Sequence, residues 1–311
     1  MKNNIKVAAV QAASQYFDTK KCIDKAISLI QQASVNGAEL IAFPELWAPG
    51  YPWWIWLDSP GWGLQFVEQY RRSSFTQECP EIMQLCTAAQ EANIYVVFGY
   101  SELSGGSLYM SQMTIDNHGN IVANRRKLKP SGTERSLFAE GNGHDLVVVD
   151  TELGRLGALC CWEHIQPLSK YALFAQHEEI HVASWPALSL GRGVRYATSP
   201  MMTSSINSVY ALEGGCFVIA PTAVNDQHVI DLLGNDPEKI SMMGLSEICP
   251  GGGAAAIYGP DGSKISTDLP ESEEGLVYAE LKRDFIISAK AATDVVGQSA
   301  RPDVLSLHLH R

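Results

Sequence analysis

The sequence predicts a layered α/β fold in which helices cover two sheets. Three observations carry that expectation. Short strand-like runs are apolar on both faces, runs of helical periodicity alternate with them in the first third and again in the middle, and hairpin signals lie between. No linker rich in Pro, Gly or Ser interrupts the chain, so residues 1–311 are read as one domain.

Residues 5–12 (IKVAAVQA) read as a first buried strand. Residues 20–36 carry Ile23, Ala26, Ile27, Ile30 and Ala33 at helical spacing, with Gly37 as the stop. Residues 39–43 (ELIAF) form a second buried strand that runs into Pro44 and Glu45. A helix over 80–93 and a strand over 94–100 follow. The Gly105-Gly106 turn joins this strand to one over 108–116, and the Asn117-His118-Gly119 turn joins that to a partner over 121–127. The second half repeats the theme. Strands are expected over 145–151, 155–160, 179–184, 215–220, 254–258 and 275–281, and helices over 168–176 and 201–213.

Composition excludes several function classes. The formal net charge of -11 argues against nucleic acid as the main partner, and the densest basic cluster, from Arg125 to Lys129, is too short to make a stripe. No run of apolar residues is long enough to cross a membrane, and the N-terminus carries no apolar signal core. Seven cysteines is an odd count without regular spacing, which suggests reduced thiols in a cytoplasmic setting, one of them free for chemistry.

The chemistry centres on the run from Gly157 to His164 (GALCCWEH), a buried strand entering a tight turn with a thiol at the turn. Cys161 is the candidate nucleophile, against the plainer reading of a buried inert thiol. Adjacent cysteines on a strand face opposite ways, so Cys160 belongs to the core if Cys161 belongs to a pocket. Glu45 stands at the carboxyl end of a buried strand, where a general base is well placed; the alternative is a surface glutamate. Lys127 closes its strand, and a cation there lowers a thiol pKa and holds developing negative charge. Spacing alone does not choose between Lys127 and Lys129. His164 reads as structural rather than as a partner for Cys161. His177 and His181 have the spacing of a zinc helix, but no third ligand follows and the run enters an apolar strand. Five of the seven tryptophans lie between Trp47 and Trp62, which points to a core plug, a subunit contact or a pocket wall beside Glu45.

With these residues in view, the chain resembles the nitrilase superfamily, and within it the true nitrilase branch. The stretches that carry the resemblance are VAAVQAA, FPELWAPGYPWWIWLDSP, GGSLYMSQ, RRKLKP followed by ER, GRLGALCCWEH, QPLSKYALFAQHEEIHVASWP, YALEGGCFVIA and RPDVLSL, in family order along nearly the whole chain. The doubled cysteine of GALCCWEH looks most like the bacterial arylacetonitrilases.

The resemblance implies a four-layer αββα sandwich with a Glu-Lys-Cys triad, carried here by Glu45, Lys127 and Cys161, and a further glutamate at Glu134. It favours Lys127 over Lys129. It implies no cofactor and no metal, and a nitrile as small-molecule substrate. Hydrolysis to acid and ammonia would pass through a thioimidate and an acyl-thioester on Cys161. Trp53, Trp54, Trp56, Trp162 and Trp185 are the candidate substrate-binding residues, and they favour an aryl or arylaliphatic nitrile. A cyanide-hydrolysing enzyme or an aliphatic amidase of the same superfamily would use the same triad, and a catalytically silent assembly protein is the rival from another class.

Members commonly pair through helices around the catalytic turn, so a homo-oligomer is expected. Two stretches depart from the family. Pro130-Ser131-Gly132-Thr133-Glu134-Arg135 lacks a histidine common in that loop, and Gly297-Gln298-Ser299-Ala300-Arg301-Pro302-Asp303 replaces a common GHYSRPD. The chain reaches Arg311 soon after the last matching stretch, which weakens the expectation of long spirals.

Overall fold

A computed structural model describes residues 2–190, 196–246 and 249–311. It is the expected sandwich of two sheets between helical layers. The first sheet contains β1 (Asn4–Ala13), β2 (Leu40–Ala42), β3 (Tyr95–Ser104), β4 (Ser107–Ile115) and β5 (Ile121–Arg126) in sequential order. β1 and β2 are parallel, as are β2 and β3, and the β3–β4 and β4–β5 pairs are antiparallel hairpins. The second sheet contains β6 (Val148–Thr151), β7 (Gly154–Cys160), β8 (Ile180–Ser184) and β9 (Phe217–Ala220). β7, β8 and β9 run parallel, so their carboxyl ends open on the same side. β10 (Thr222–Val224) and β12 (Gly275–Lys282) extend the first sheet beside β1, and β11 (Ala256–Tyr258) closes the second beside β9.

Alternation along each strand makes the layers. In β1, Ile5, Val7 and Ala9 point between the sheets, where Leu156, Ile180, Val182, Phe217 and Ile219 meet them. Ala8, Val10 and Ala12 point the other way, toward α1 (Thr19–Val35) and α4 (Pro80–Ala92). In the second sheet Leu159, Ala183 and Val218 face outward, under α5 (Pro167–Phe174) and α6 (Pro200–Gly214). Strands buried on both faces account for the near-continuous apolar runs.

The helices begin where side chains cap them. The Asp18 carboxylate accepts from Lys21 N at 3.0 Å, and Ser199 Oγ accepts from Met202 N at 3.2 Å with Pro200 next. Several elements lie outside the sequence expectations. Residues 54–57 form a one-turn helix, α2 (Trp54–Leu57), and α3 (Pro60–Arg72) follows it. Ser59 caps α3 by accepting from Trp62 N, and the helix buries Phe66 and Tyr70 against Trp54. α7 (Gln227–Leu232), α8 (Pro237–Met242) and α9 (Arg283–Ala292) were also not expected. The strand expected over 145–151 begins at Val148, because Gly143–Asp145 is a 3-10 turn.

Candidate active site

Three strand ends deliver the polar groups. Glu45 lies just past β2, and its amide donates to the Trp185 carbonyl at 3.3 Å. Gly99 of β3 lies so close to the Pro44 carbonyl that a Cβ there would collide with it, so the turn holding Glu45 can fold down only over a glycine. Lys127 follows β5, and its amide donates to Met110 O at 2.7 Å. Cys161 follows β7 at the first position of a 3-10 turn, Cys161–Ile165, with φ +46. An L-residue holds that left-handed conformation at a strain of about 1–2 kcal/mol, and it exposes a side chain at a sharp strand-to-turn corner.

Lys127 sits between two carboxylates. Its Nζ donates to Glu45 Oε1 and to Glu134 Oε2, both at 2.8 Å, and all three side chains are buried. Glu134 is supplied by a third element, the 3-10 turn Gly132–Ser136, and its other oxygen accepts from the Tyr51 hydroxyl at 2.6 Å. Trp56 Nε1 donates in turn to Tyr51 Oη at 3.1 Å. Glu45 Oε2 is buried with no hydrogen-bond partner.

The electrostatics follow. Burial pushes Glu45 from 4.5 to about 8, with Lys127 pulling the other way and Glu134 adding to the rise. Burial also pulls the Lys127 ammonium down, but Glu134 and Glu45 outweigh it and hold the group well above its usual value. Burial and the Glu45 charge push the Cys161 thiol well up, against the pull of Lys127 and the Trp162 N–H. The expectation that a neighbouring lysine lowers the thiol is therefore corrected in net sign: the lysine acts as expected but is outweighed. The resting pair is a neutral thiol beside a carboxyl group with one free oxygen.

A buried frame locks these parts together. Arg125, two residues before the lysine, grips Glu163, two residues after the cysteine, through Nη1–Oε2 at 3.0 Å and Nη2–Oε1 at 2.7 Å. Glu163 also accepts from Cys160 N and Leu128 N, each at 2.8 Å. Burial pushes Glu163 up, but Arg125 and these amides outweigh it and hold the carboxyl below its usual range. Arg125 Nη1 donates to Gln112 Oε1 at 2.7 Å, Gln112 Nε2 to Ser184 Oγ at 2.9 Å, and Ser184 Oγ to Phe43 O at 2.8 Å, which reaches the strand carrying Glu45.

Above Cys161 opens a cavity of about 510 Å³ whose walls include Tyr51, Trp53, Trp56, Trp162, Trp185 and Leu188. Four of the five expected aromatic positions line it. Trp54 does not: its ring packs on Phe17, Phe66 and Tyr70 at 5.5, 5.3 and 5.1 Å between centroids. Successive residues on a helical turn point about 100° apart, so neighbours cannot all face one cavity.

Lys129 is exposed and pairs with Glu140 on the surface. His177 lies in a turn and His181 on β8, so the pair never shares a helix face. Among the described residues no group of three His, Cys, Asp or Glu is placed to hold a metal. Sequence reading missed Tyr51 and the Arg125–Glu163 pair. Glu163 three residues after Cys160 has capping-box spacing, and that signal was available; nothing in the sequence marks Arg125 as buried.

Fold and site together define a class: an αββα protein that sets a thiol beside a carboxyl and an ammonium at the strand ends, the layout of a thiol hydrolase. The comparisons narrow it. The sequence model of the family described as carbon-nitrogen hydrolase matches residues 6–291. The chain is 46% identical over 310 residues to an aliphatic nitrilase of Rhodococcus rhodochrous, covering 99% of this chain and 83% of that one. It is 43% identical over 305 residues to an arylacetone-specific nitrilase of Alcaligenes faecalis, covering 98% and 84%. Its fold matches the crystal structure of Saccharomyces cerevisiae Nit3, a member of branch 10 of the nitrilase superfamily, with TM-score 0.72 at 17% identity over 96% of this chain and 97% of that one. The chain belongs to the carbon-nitrogen hydrolase family, on its nitrilase branch.

Proposed function

We propose that this protein is a nitrilase that converts an organic nitrile and two waters to a carboxylic acid and ammonia. The observation that carries the reading is Glu45, fixed by Lys127 through one oxygen and unpartnered at the other, beside a neutral thiol. Glu45 takes the Cys161 proton as sulfur attacks the nitrile carbon. The proton passes to the nitrile nitrogen, giving a thioimidate. Glu45 then takes a proton from water as it adds to the thioimidate carbon. Lys127 and the Trp162 N–H stabilise the charge that develops on the tetrahedral species. Returning that proton to nitrogen, with the hydroxyl proton following it as the C–N bond breaks, expels ammonia and leaves an acyl-thioester, which a second water cleaves to the acid and the free thiol. Glu134 keeps Lys127 in place.

The aromatic walls favour an aryl or arylaliphatic nitrile, since flat rings of Trp53, Trp56, Trp162 and Trp185 offer stacking surfaces in an apolar cavity. We read 1–311 as one catalytic unit, because the layer between the sheets takes side chains from Ile5 through Ile286. We also propose a homo-oligomer. Met201, Val209 and Leu212 are exposed on α6 at spacings that share a face, and Leu168 is exposed on α5. The odd cysteine count supports a cytoplasmic setting. Among the described residues no helix is long and apolar enough to cross a membrane.

The test is ammonia release from phenylacetonitrile, benzonitrile, a short aliphatic dinitrile, cyanide and phenylacetamide, with wild type beside Cys161→Ala. Release from the nitriles that Cys161→Ala abolishes, at an unchanged melting temperature, is the expected result. Release from the amide alone would move the protein to the amidases. Turnover surviving in Cys161→Ala would sink the scheme.

A further inference from the structure

Behind the thiol runs a second buried chain of titratable groups that the reaction as drawn does not use. His164 Nδ1 lies 2.6 Å from the Cys161 carbonyl oxygen. His164 Nε2 lies 2.9 Å from His181 Nε2, and His181 Nδ1 lies 3.0 Å from Glu178 Oε2. The Tyr210 hydroxyl donates to Glu178 Oε1 at 2.5 Å. All four side chains are buried. Tyr210 stacks on His181 with centroids 4.0 Å apart, and Trp185 stacks on His164 at 5.2 Å, so neither ring is free to turn. Gly157 of β7 makes room for the acid, because a Cβ there would collide with Glu178 Oε2.

The ends of the chain determine where its protons sit. A carbonyl only accepts, so His164 Nδ1 carries a hydrogen. A neutral His164 then accepts at Nε2, which places the His181 proton on Nε2. His181 Nδ1 is left as an acceptor, and only a protonated Glu178 can donate to it. Tyr210 donates to the remaining carboxyl oxygen. Burial pushes Glu178 up to about 8 and both imidazoles well below their usual range, which agrees with an uncharged chain near neutrality.

The consequence lies in one peptide unit. The Cys161 carbonyl and the Trp162 N–H belong to the same rigid plane and point to opposite sides of it. Pulling the carbonyl back toward His164 aims the N–H forward, to the side of the Cys161 thiol, whose negative charge it favours. We propose that His164 is a positioning residue for the reaction: held in one tautomer by His181, Glu178 and Tyr210, it orients the Cys161–Trp162 peptide so that the Trp162 N–H faces the developing charge. The inference rests on the reading of Cys161 as nucleophile.

Kinetics of His164→Phe and His164→Asn test it, with wild type and Cys161→Ala run first. His164→Phe removes the donor and is expected to lower kcat about 30-fold or more with KM within about 3-fold, since a misaimed donor is lost only in the transition state. His164→Asn returns an N–H near the Nδ1 position and is expected to restore kcat to within about 5-fold of wild type. An unchanged kcat in His164→Phe, a loss confined to KM, or an Asn variant no better than Phe would overturn it. Should His164→Phe not fold, Glu178 supplies the same test. Glu178→Gln keeps a donor toward His181 and is expected to stay within about 3-fold in kcat, while Glu178→Leu is expected to lose about 10-fold; equal loss in both overturns the proton order. Ring nitrogen-15 spectra give a readout without substrate: Nδ1–H at His164 and Nε2–H at His181 are expected, and an imidazolium at His181 would refute the chain. Turnover that persists in Cys161→Ala sinks the nucleophile reading, whereas Cys161-dependent turnover with an indifferent His164 sinks only this inference.

Discussion

Arg125 and Lys127 stand two residues apart at the end of β5, and each is a buried cation held by carboxylate. The Arg125 site is closed: Glu163 meets the guanidinium with both oxygens and takes two amides besides, and its carboxyl is held below the usual range. The Lys127 site is open: two carboxyl groups share one ammonium, one oxygen of Glu45 has no partner, and Glu45 is pushed up to about 8. Saturated charge makes a fastener, and unsaturated charge keeps a proton site near neutrality. Alternation along the strand puts both side chains on the same face, so the fastener lies beside what it holds.

The largest effect separates the two sites by activity. Glu45→Gln is expected to lower kcat at least about 1000-fold, with urea stability unchanged or raised because Lys127 keeps Glu134 as its counter-charge and a carboxyl that burial disfavours in its ionised form is gone. A folded Glu45→Gln enzyme with wild-type turnover would break the comparison. Glu163→Gln is expected to show the converse emphasis, a destabilisation of about 3–5 kcal/mol in equilibrium unfolding, because Arg125 is left without a counter-charge. A loss under about 1 kcal/mol would mean that the closed pair is no fastener.

The third effect is a slope with pH. Glu45 is raised in the folded protein, so the native state binds its proton more tightly than the unfolded chain does. The stability this contributes is fully present below pH 4.5 and is lost as pH rises through about 8. Between those limits the stability of wild type is expected to fall relative to Glu45→Gln by at most ~1.4 kcal/mol per pH unit. Parallel stability–pH curves for the two proteins would contradict the raised carboxyl. Activity moves oppositely: kcat/KM rises toward the alkaline side as Glu45 ionises to act as base.

The smallest effect divides the aromatic run. Trp56→Ala opens the cavity wall and is expected to change the preference between phenylacetonitrile and an aliphatic dinitrile about 10-fold. Trp54→Ala is expected to leave that preference alone and to cost about 3–5 kcal/mol of stability. The reverse pattern would mean that the two rings have been assigned to the wrong sides of α2.

The sequence by itself determined the layers and the chemical types at the site. Strands buried on both faces, helices with one apolar side, and Glu45, Lys127 and Cys161 each following a strand were legible because side-chain period and strand-end position are local properties. Glu134 and the choice of Lys127 over Lys129 came from resemblance. The two helices within residues 54–72 were not anticipated, because the clustered tryptophans mask helical periodicity. Only the tertiary structure decided which tryptophans face the cavity, that Arg125 is buried against Glu163, that the thiol is raised rather than lowered, and that His164 meets His181 and Glu178. Burial and pairing across Lys127–Glu45 or Arg125–Glu163 depend on elements far apart in the chain. Their sign is set by the dielectric and the neighbours that packing brings, which no local pattern encodes.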